Sequence, residues 1–206
     1  MKPHRNIVGT TPLLQAFAYN EATKILVDYW CSLPRPGGTL CPARSDFRMM
    51  DVSEISDQLF VDERHNADNI CVVQSGSTIN KLLGADLTGF NILELLPPDQ
   101  FALERAYFQA LAGQPCAGYI TRLSTQATGR SFVYRSTHLP LLTKEGTVGF
   151  WVGTGAIFEE NTYPPNARIT KFGQFQMLER EYFDIGAGVP VADLKSPDWL
   201  SPTASI

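Results

Sequence analysis

Cys71-Val72-Val73-Gln74-Ser75-Gly76-Ser77 and, a few residues on, Leu83-Gly84-Ala85-Asp86-Leu87-Thr88-Gly89-Phe90 set the frame for the whole chain. The apolar opening, Ile70 to Val73, is rich in β-branched residues and predicts a strand. Gly76 breaks that strand, and Ser77 is a natural N-cap for a short helix carrying Ile79, Leu82 and Leu83. Gly84 ends the helix, because glycine enters the left-handed region without a Cβ clash. Asp86 to Gly89 then redirects the chain into a second short turn, where Asn91 and Glu94 stand at capping-box spacing. A strand, two small helices and glycines at the corners predict a wall that can cup something.

Upstream, Phe60 to Arg64 reads as a strand and His65-Asn66-Ala67-Asp68-Asn69 as turn chemistry, so Phe60 to Val73 forms a hairpin. Val52 to Leu59 predicts a short helix before it. Downstream, Pro98 suits a first helical position, Asp99 the positive end of the dipole and Gly113 the stop. The helix to Ala112 carries an apolar stripe of Leu103, Tyr107, Ala110 and Leu111, leaving Glu104, Arg105 and Gln109 for water. Three strands follow, Gly118 to Ser124, Arg130 to Leu142 and Thr147 to Phe158. Ala127-Thr128-Gly129 and Lys144-Glu145-Gly146 separate them as hairpin turns. In the last strand Gly149, Trp151, Gly153 and Gly155 share a face, which invites close approach by a helix.

The candidate for that helix lies near the N-terminus. Leu14, Ala18, Ala22, Ile25, Leu26 and Tyr29 repeat at helical spacing, with Thr11 as cap and Pro12 at the first position. Leu33-Pro34-Arg35-Pro36-Gly37-Gly38 ends it. With Phe17, Tyr29 and Trp30, this amphipathic helix is expected on the glycine face. At the other end, residues 169–185 are too apolar for a linker and predict an arm that packs on the domain or on a second copy. Met1 to Thr10 and the tail from Lys195 are expected to be loosely attached. The chain divides into residues 1–56 (N-terminal helix and connecting loop), 57–160 (core) and 161–206 (C-terminal arm and tail).

A formal charge of −4 over 206 residues, with basic residues scattered singly, argues against nucleic-acid binding. No apolar run approaches the roughly 20 residues that cross a bilayer, and Met1 to Asn20 lacks a signal-peptide pattern, so a soluble cytoplasmic protein is expected. Cys31, Cys41, Cys71 and Cys116 form no C-x-x-C pair and have no histidine at ligand spacing, giving no support for a zinc site. Ser75-Gly76-Ser77 is not a nucleophile elbow, and Gly153-Thr154-Gly155 lies inside a strand, where sheet packing explains it better than dinucleotide binding. Paired carboxylates at Asp62-Glu63 and Glu159-Glu160 read as solvated charge.

The order strand, strand, small helices, longer helix, three strands resembles that of a PAS domain. More narrowly, the chain is similar to short stand-alone bacterial PAS-like proteins, through Tyr29-Trp30, Pro42-Ala43-Arg44-Ser45-Asp46-Phe47, Gly76-Ser77-Thr78-Ile79 and Leu83-Gly84-Ala85-Asp86-Leu87-Thr88-Gly89. The resemblance implies an α+β fold, a five-stranded antiparallel sheet with short helices on one face, flanked by the N-terminal helix and the C-terminal arm. It implies a sensory or interaction module. Haem-binding members of the wider family hold iron through a histidine on the longer helix, and flavin photosensors carry a reactive cysteine in a pocket-wall helix. Pro98 to Ala112 has no histidine and Phe90 to Leu96 no cysteine, so the cofactor is left unknown.

Ligand-binding candidates lie on the middle of the final three strands. Phe132, Tyr134, Ser136 and His138 share one face, and a hydroxyl pair, an imidazole and a ring can orient a small polar or aromatic ligand in an apolar cleft. The alternative is a half-solvated strand whose polar side chains face water. The expected function is a non-enzymatic signalling module that works by contact as a homodimer, with a protein partner and a core ligand as further expected partners. The rival is a small-molecule enzyme with His138 as general base and Tyr134 as its partner; a third reading is a docking domain without ligand.

Overall fold

The computed structural model describes residues 15–17, 19–125, 130–161 and 174–190. Met1 to Thr10, the Thr11 and Pro12 helix start, the Ala127-Thr128-Gly129 turn, the Glu159-Glu160 side chains and the tail from Lys195 lie outside what is described.

Strands β1 (Leu59–Asn66), β2 (Asn69–Ser75), β3 (Cys116–Thr125), β4 (Ser131–Leu142), β5 (Val148–Asn161) and β6 (Gln174–Asp184) form one sheet in the order β2-β1-β5-β4-β3-β6. Every neighbouring pair is antiparallel. The α+β class is as the sequence predicts, and the three closing strands pair as neighbours. The sheet has six strands and not five, because the C-terminal arm adds β6 beside β3. A bulge hides that strand in the sequence. Thr121 stands opposite Glu179 and Arg122 opposite Met177, so Leu178 is an extra residue that shifts the alternation by one.

Three α-helices are described: α1 (Glu21–Ser32), α2 (Ser77–Leu83) and α3 (Pro98–Gly113). Helix α1 is capped by Asn20, which has the extended backbone of a cap and whose side chain accepts from the Thr23 N–H at 3.1 Å. Gly76, not Ser77, is the cap residue of α2; a Cβ on Gly76 would stand 2.2 Å from the Asp57 carbonyl oxygen. Gly84 closes α2 in the left-handed region at φ 78°. Asn91 caps the 3-10 turn Ile92–Leu95, accepting from the Leu93 N–H and donating to Glu94. The helix expected over Val52 to Leu59 is a 3-10 run, Met49–Gln58.

Residues directly opposite each other on antiparallel strands share a face, which sorts the sheet into two surfaces. Helix α1 covers the one that carries Val61, Val152 and Thr154. There the Thr23 and Thr154 hydroxyls meet at 2.7 Å, and the Trp30 indole N–H donates to the Pro140 carbonyl at 3.0 Å. Phe17 packs edge-on against Tyr119 and Phe183. The helix therefore does not lie on the glycine face, as the glycines led us to expect. Aromatic side chains of neighbouring strands occupy the space above those glycines. A Cβ on Gly153 would stand 2.2 Å from the Phe60 ring and 1.8 Å from the Thr137 carbonyl oxygen, and one on Gly155 would stand 2.0 Å from the Tyr134 hydroxyl oxygen. That second face is overlaid by α2, α3 and the Ile92–Leu95 turn, and Phe108 of α3 packs on Trp151.

Candidate functional site

Between the second sheet face and the short helices lies a cavity of about 90 Å³. Ile79 and Leu83 of α2, Leu87 of the following loop, and Ile92, Leu95 and Leu96 make its apolar wall, so the stretch from Ser77 to Leu96 does form the expected cup. The sheet supplies its floor: Phe60 and Asp62 from β1, Arg122 from β3, Tyr134, Ser136 and His138 from β4, and Phe175 from β6. Glu104 of α3 closes one side.

Of the four candidate residues, Tyr134, Ser136 and His138 line this cavity. Phe132 is on the same face of β4 but is fully buried in a separate apolar cluster with Phe60, Ile79, Leu82, Leu83, Tyr134 and Phe175, and does not reach the lining. None of the four faces water: Phe132, Tyr134, Ser136 and His138 are all buried, which overturns the half-solvated alternative.

Two carboxylates that sequence reasoning left to solvent, and an arginine it did not single out, are the polar heart of the site. Asp62, Glu104 and Arg122 are each less than a tenth exposed. Arg122 grips Glu104 through both arms, Nε to Oε1 at 2.5 Å and Nη2 to Oε2 at 2.7 Å, and donates through Nη1 to the Ser136 hydroxyl at 2.6 Å. Burial works against the Arg122 charge, yet the Glu104 carboxylate outweighs it and the guanidinium pKa ends above its ordinary value. The spacing gives no local hint of this pair, whose members lie 18 residues apart on different elements.

Asp62 is the unusual group. It is 3% exposed, lines the cavity, and no described residue hydrogen-bonds its carboxyl. Burial pushes its pKa up to about 8; the Arg122 charge pulls the other way and the Glu104 charge adds to the rise. At neutral pH this is mainly a neutral acid, able to donate and accept.

His138 Nδ1 lies 3.0 Å from the Tyr107 hydroxyl of α3. Tyr107, not Tyr134, is therefore its partner. The two groups share one proton between the hydroxyl and Nδ1, and Nε2, the other ring nitrogen, has no partner among the described residues. Burial, with a smaller contribution from Arg122, holds the ring pKa well below the ordinary value. Burial likewise pushes the Tyr107 and Tyr134 phenols up. The floor thus offers a neutral acid, a hydroxyl, an imidazole and a compensated ion pair beneath an apolar roof. Among the described residues, no group of three or more His, Cys, Asp or Glu side chains is placed to hold a metal ion, and no helix is long and apolar enough to cross a membrane.

An antiparallel sheet with short helices over one face and a small cavity between them defines the class, a single-sheet α+β domain. The chain belongs to the PAS domain family, whose model matches residues 19–155. That membership supports a sensory signalling module. Among solved structures, the chain is similar to a light-oxygen-voltage domain described with a flavin analogue, at 18% identity and a TM-score of 0.43 over 55% of this chain and 87% of that one. A Rhodobacter sphaeroides LOV protein matches at 14% identity and a TM-score of 0.42, over 54% of this chain and 69% of that one. The PAS domain of a Colwellia psychrerythraea protein matches at 12% and 0.42, over 54% and 97%. No curated protein matches.

Proposed function

We propose that this PAS domain senses a small molecule in the cavity floored by Asp62, Ser136 and His138 and passes its occupancy on by protein contact, first of all to a second copy of itself. The observation that carries the reading is a buried acid and an imidazole nitrogen, Nε2, that no described residue engages, on residues lining a space walled by apolar side chains. Buried polar groups ordinarily find partners, and a ligand supplies the ones these lack. The wall most able to report occupancy is the short one, since α2 and the Ile92–Leu95 turn together span few residues and rest on the hairpin edge. A ligand shifts a contact only by its differential affinity for the two arrangements. We place this activity in the cytoplasm, without nucleic acid, membrane or catalytic turnover.

Native mass spectrometry of freshly purified protein tests the ligand: retained extra mass, lost on denaturation, is the expected result, and its absence together with no response to small-molecule screening ends the reading. Sedimentation tests the partner. A monomer at high micromolar concentration, with and without ligand, removes the homodimer.

A further inference from the structure

Resting on the ligand-sensing reading just given, we infer that the cavity takes a small organic cation, an alkylammonium or amidinium of a few carbon atoms, with the Asp62 carboxylate as its counter-ion.

Charge already inside the cavity decides the sign of the ligand. Arg122 is spent three times over, twice on Glu104 and once on Ser136, so it has little left for an incoming anion. Asp62 is the charged-type side chain of the lining that no described residue engages by hydrogen bond or ion pair. The groups around it are Arg122 from β3, Glu104 from α3, and Tyr134 and His138 from β4; the imidazole is neutral and the phenol protonated. Arg180 of β6 donates to the Leu103 carbonyl and its charge bears on Glu104, while it lies outside the cavity lining. Without a ligand, burial favours the protonated form of Asp62, since the nearby Arg122 charge is already offset by Glu104. A ligand ammonium replaces that proton and forms a charge-assisted bond in a low-dielectric place, where such bonds are strongest.

Size and wall chemistry narrow the class. A cavity of about 90 Å³ is smaller than the ~150 Å³ that accepts benzene, which leaves room for about four non-hydrogen atoms. Ile79, Leu83, Leu87 and Leu95 over the cavity favour a branched or short alkyl group at the other end of the molecule.

Binding as a cation converts a neutral acid into a carboxylate, so one proton leaves Asp62 for each ligand bound below about pH 8. The test uses the full chain and three probes of equal heavy-atom count, isopropylamine, isopropanol and acetate, titrated calorimetrically at several pH values in buffers of different ionisation heat. Isopropylamine is expected to bind, with affinity rising toward tenfold per pH unit up to about 8 and levelling above it. Close to one proton should appear in the buffer per amine bound at pH 6.5. Asp62→Asn keeps the side-chain shape, and in that variant, checked for a cooperative melt, the amine should bind at least tenfold more weakly. The inference is overturned if the amine does not bind, if isopropanol or acetate binds as tightly, if no proton is released, or if the folded variant binds the amine unchanged. Binding of the alcohol or acid alone removes the cation and leaves ligand sensing standing. Failure of all three probes with no retained mass removes both.

Discussion

The two faces of the sheet are built from the same strands and differ in how they treat buried polar groups. On the α1 face they are matched internally: Thr23 to Thr154, Tyr19 to Thr137, and Arg135 to Thr121 and Glu179 while stacked 3.9 Å over Tyr119. On the cavity face matching is incomplete. The Trp151 indole N–H and the Tyr182 hydroxyl are buried without a partner among the described residues, and the Asp62 carboxyl has none either. Each unmatched group costs about 1–3 kcal/mol, and of these three only Asp62 lines the cavity. The α1 face closes on the sheet through paired groups, and the cavity face leaves some unpaired.

Breaking the one complete pairing on the cavity face should have the largest effect. Arg122→Met leaves Glu104, 2% exposed, as a buried carboxylate without its ion-pair partner. We expect a loss of about 3–5 kcal/mol in urea unfolding. Adding Glu104→Leu should restore most of it, because an apolar replacement of the whole pair removes both desolvation penalties. A double variant as unstable as the single one would mean that the Ser136 contact or Arg122 packing, and not the charge pair, was at stake.

A second experiment reads the two titratable groups against each other through pH. Asp62 has a folded pKa near 8, so between about pH 4 and 8 the folded state holds a proton the unfolded chain has lost, and stability falls as pH rises. His138 is depressed in the fold, so below its unfolded pKa the unfolded chain holds the extra proton, and stability falls as pH drops below about 6.5. Between pH 5 and 6.5 the two slopes oppose and the wild type should be nearly flat. From pH 6.5 to 8 Asp62 acts alone and about 2 kcal/mol should be lost, at about 1.4 kcal/mol per unit. Asp62→Asn should abolish the fall above pH 6.5 and uncover a rise with pH below it. A variant with the wild-type profile would show that Asp62 does not carry its proton in the fold.

How much of this was readable beforehand divides along the same line. The strand runs, the Gly84 stop, the Asn91 turn and helix α3 come from local chemistry, and the structure has them within a few residues of where it predicts. Three of the four proposed cavity residues follow from simple alternation along β4. What failed was long-range. Asp62, Glu104 and Arg122 look solvated because charged residues rarely bury without a partner, and their partner or neighbour lies on another element. Glycines of β5 signalled close approach correctly, but residue type could not say whether a helix or the rings of Phe60 and Tyr134 would approach. Strand β6 was read as an apolar arm because Leu178, at the bulge, and the charged run Glu179-Arg180-Glu181 break its two-residue period.

The smallest expected effect sharpens the comparison from the α1 side. Thr23 and Thr154 are both fully buried, and their hydroxyls satisfy each other at 2.7 Å across the helix–sheet contact. Thr23→Val removes one hydroxyl at nearly constant volume and strands the other, so it should cost about 1–2 kcal/mol. Thr154→Val should cost about the same, while the double variant should return close to wild type, because two matched apolar groups of the same shape need no hydrogen bond. The same swap applied to Ser136, as Ser136→Ala, has no such compensation, since it deprives Arg122 of an acceptor beside an open cavity. If the threonine double variant stayed as unstable as either single one, the α1 face would owe its hold on the sheet to something other than matched pairing. The contrast between a closed face and an open one would then lose its physical basis.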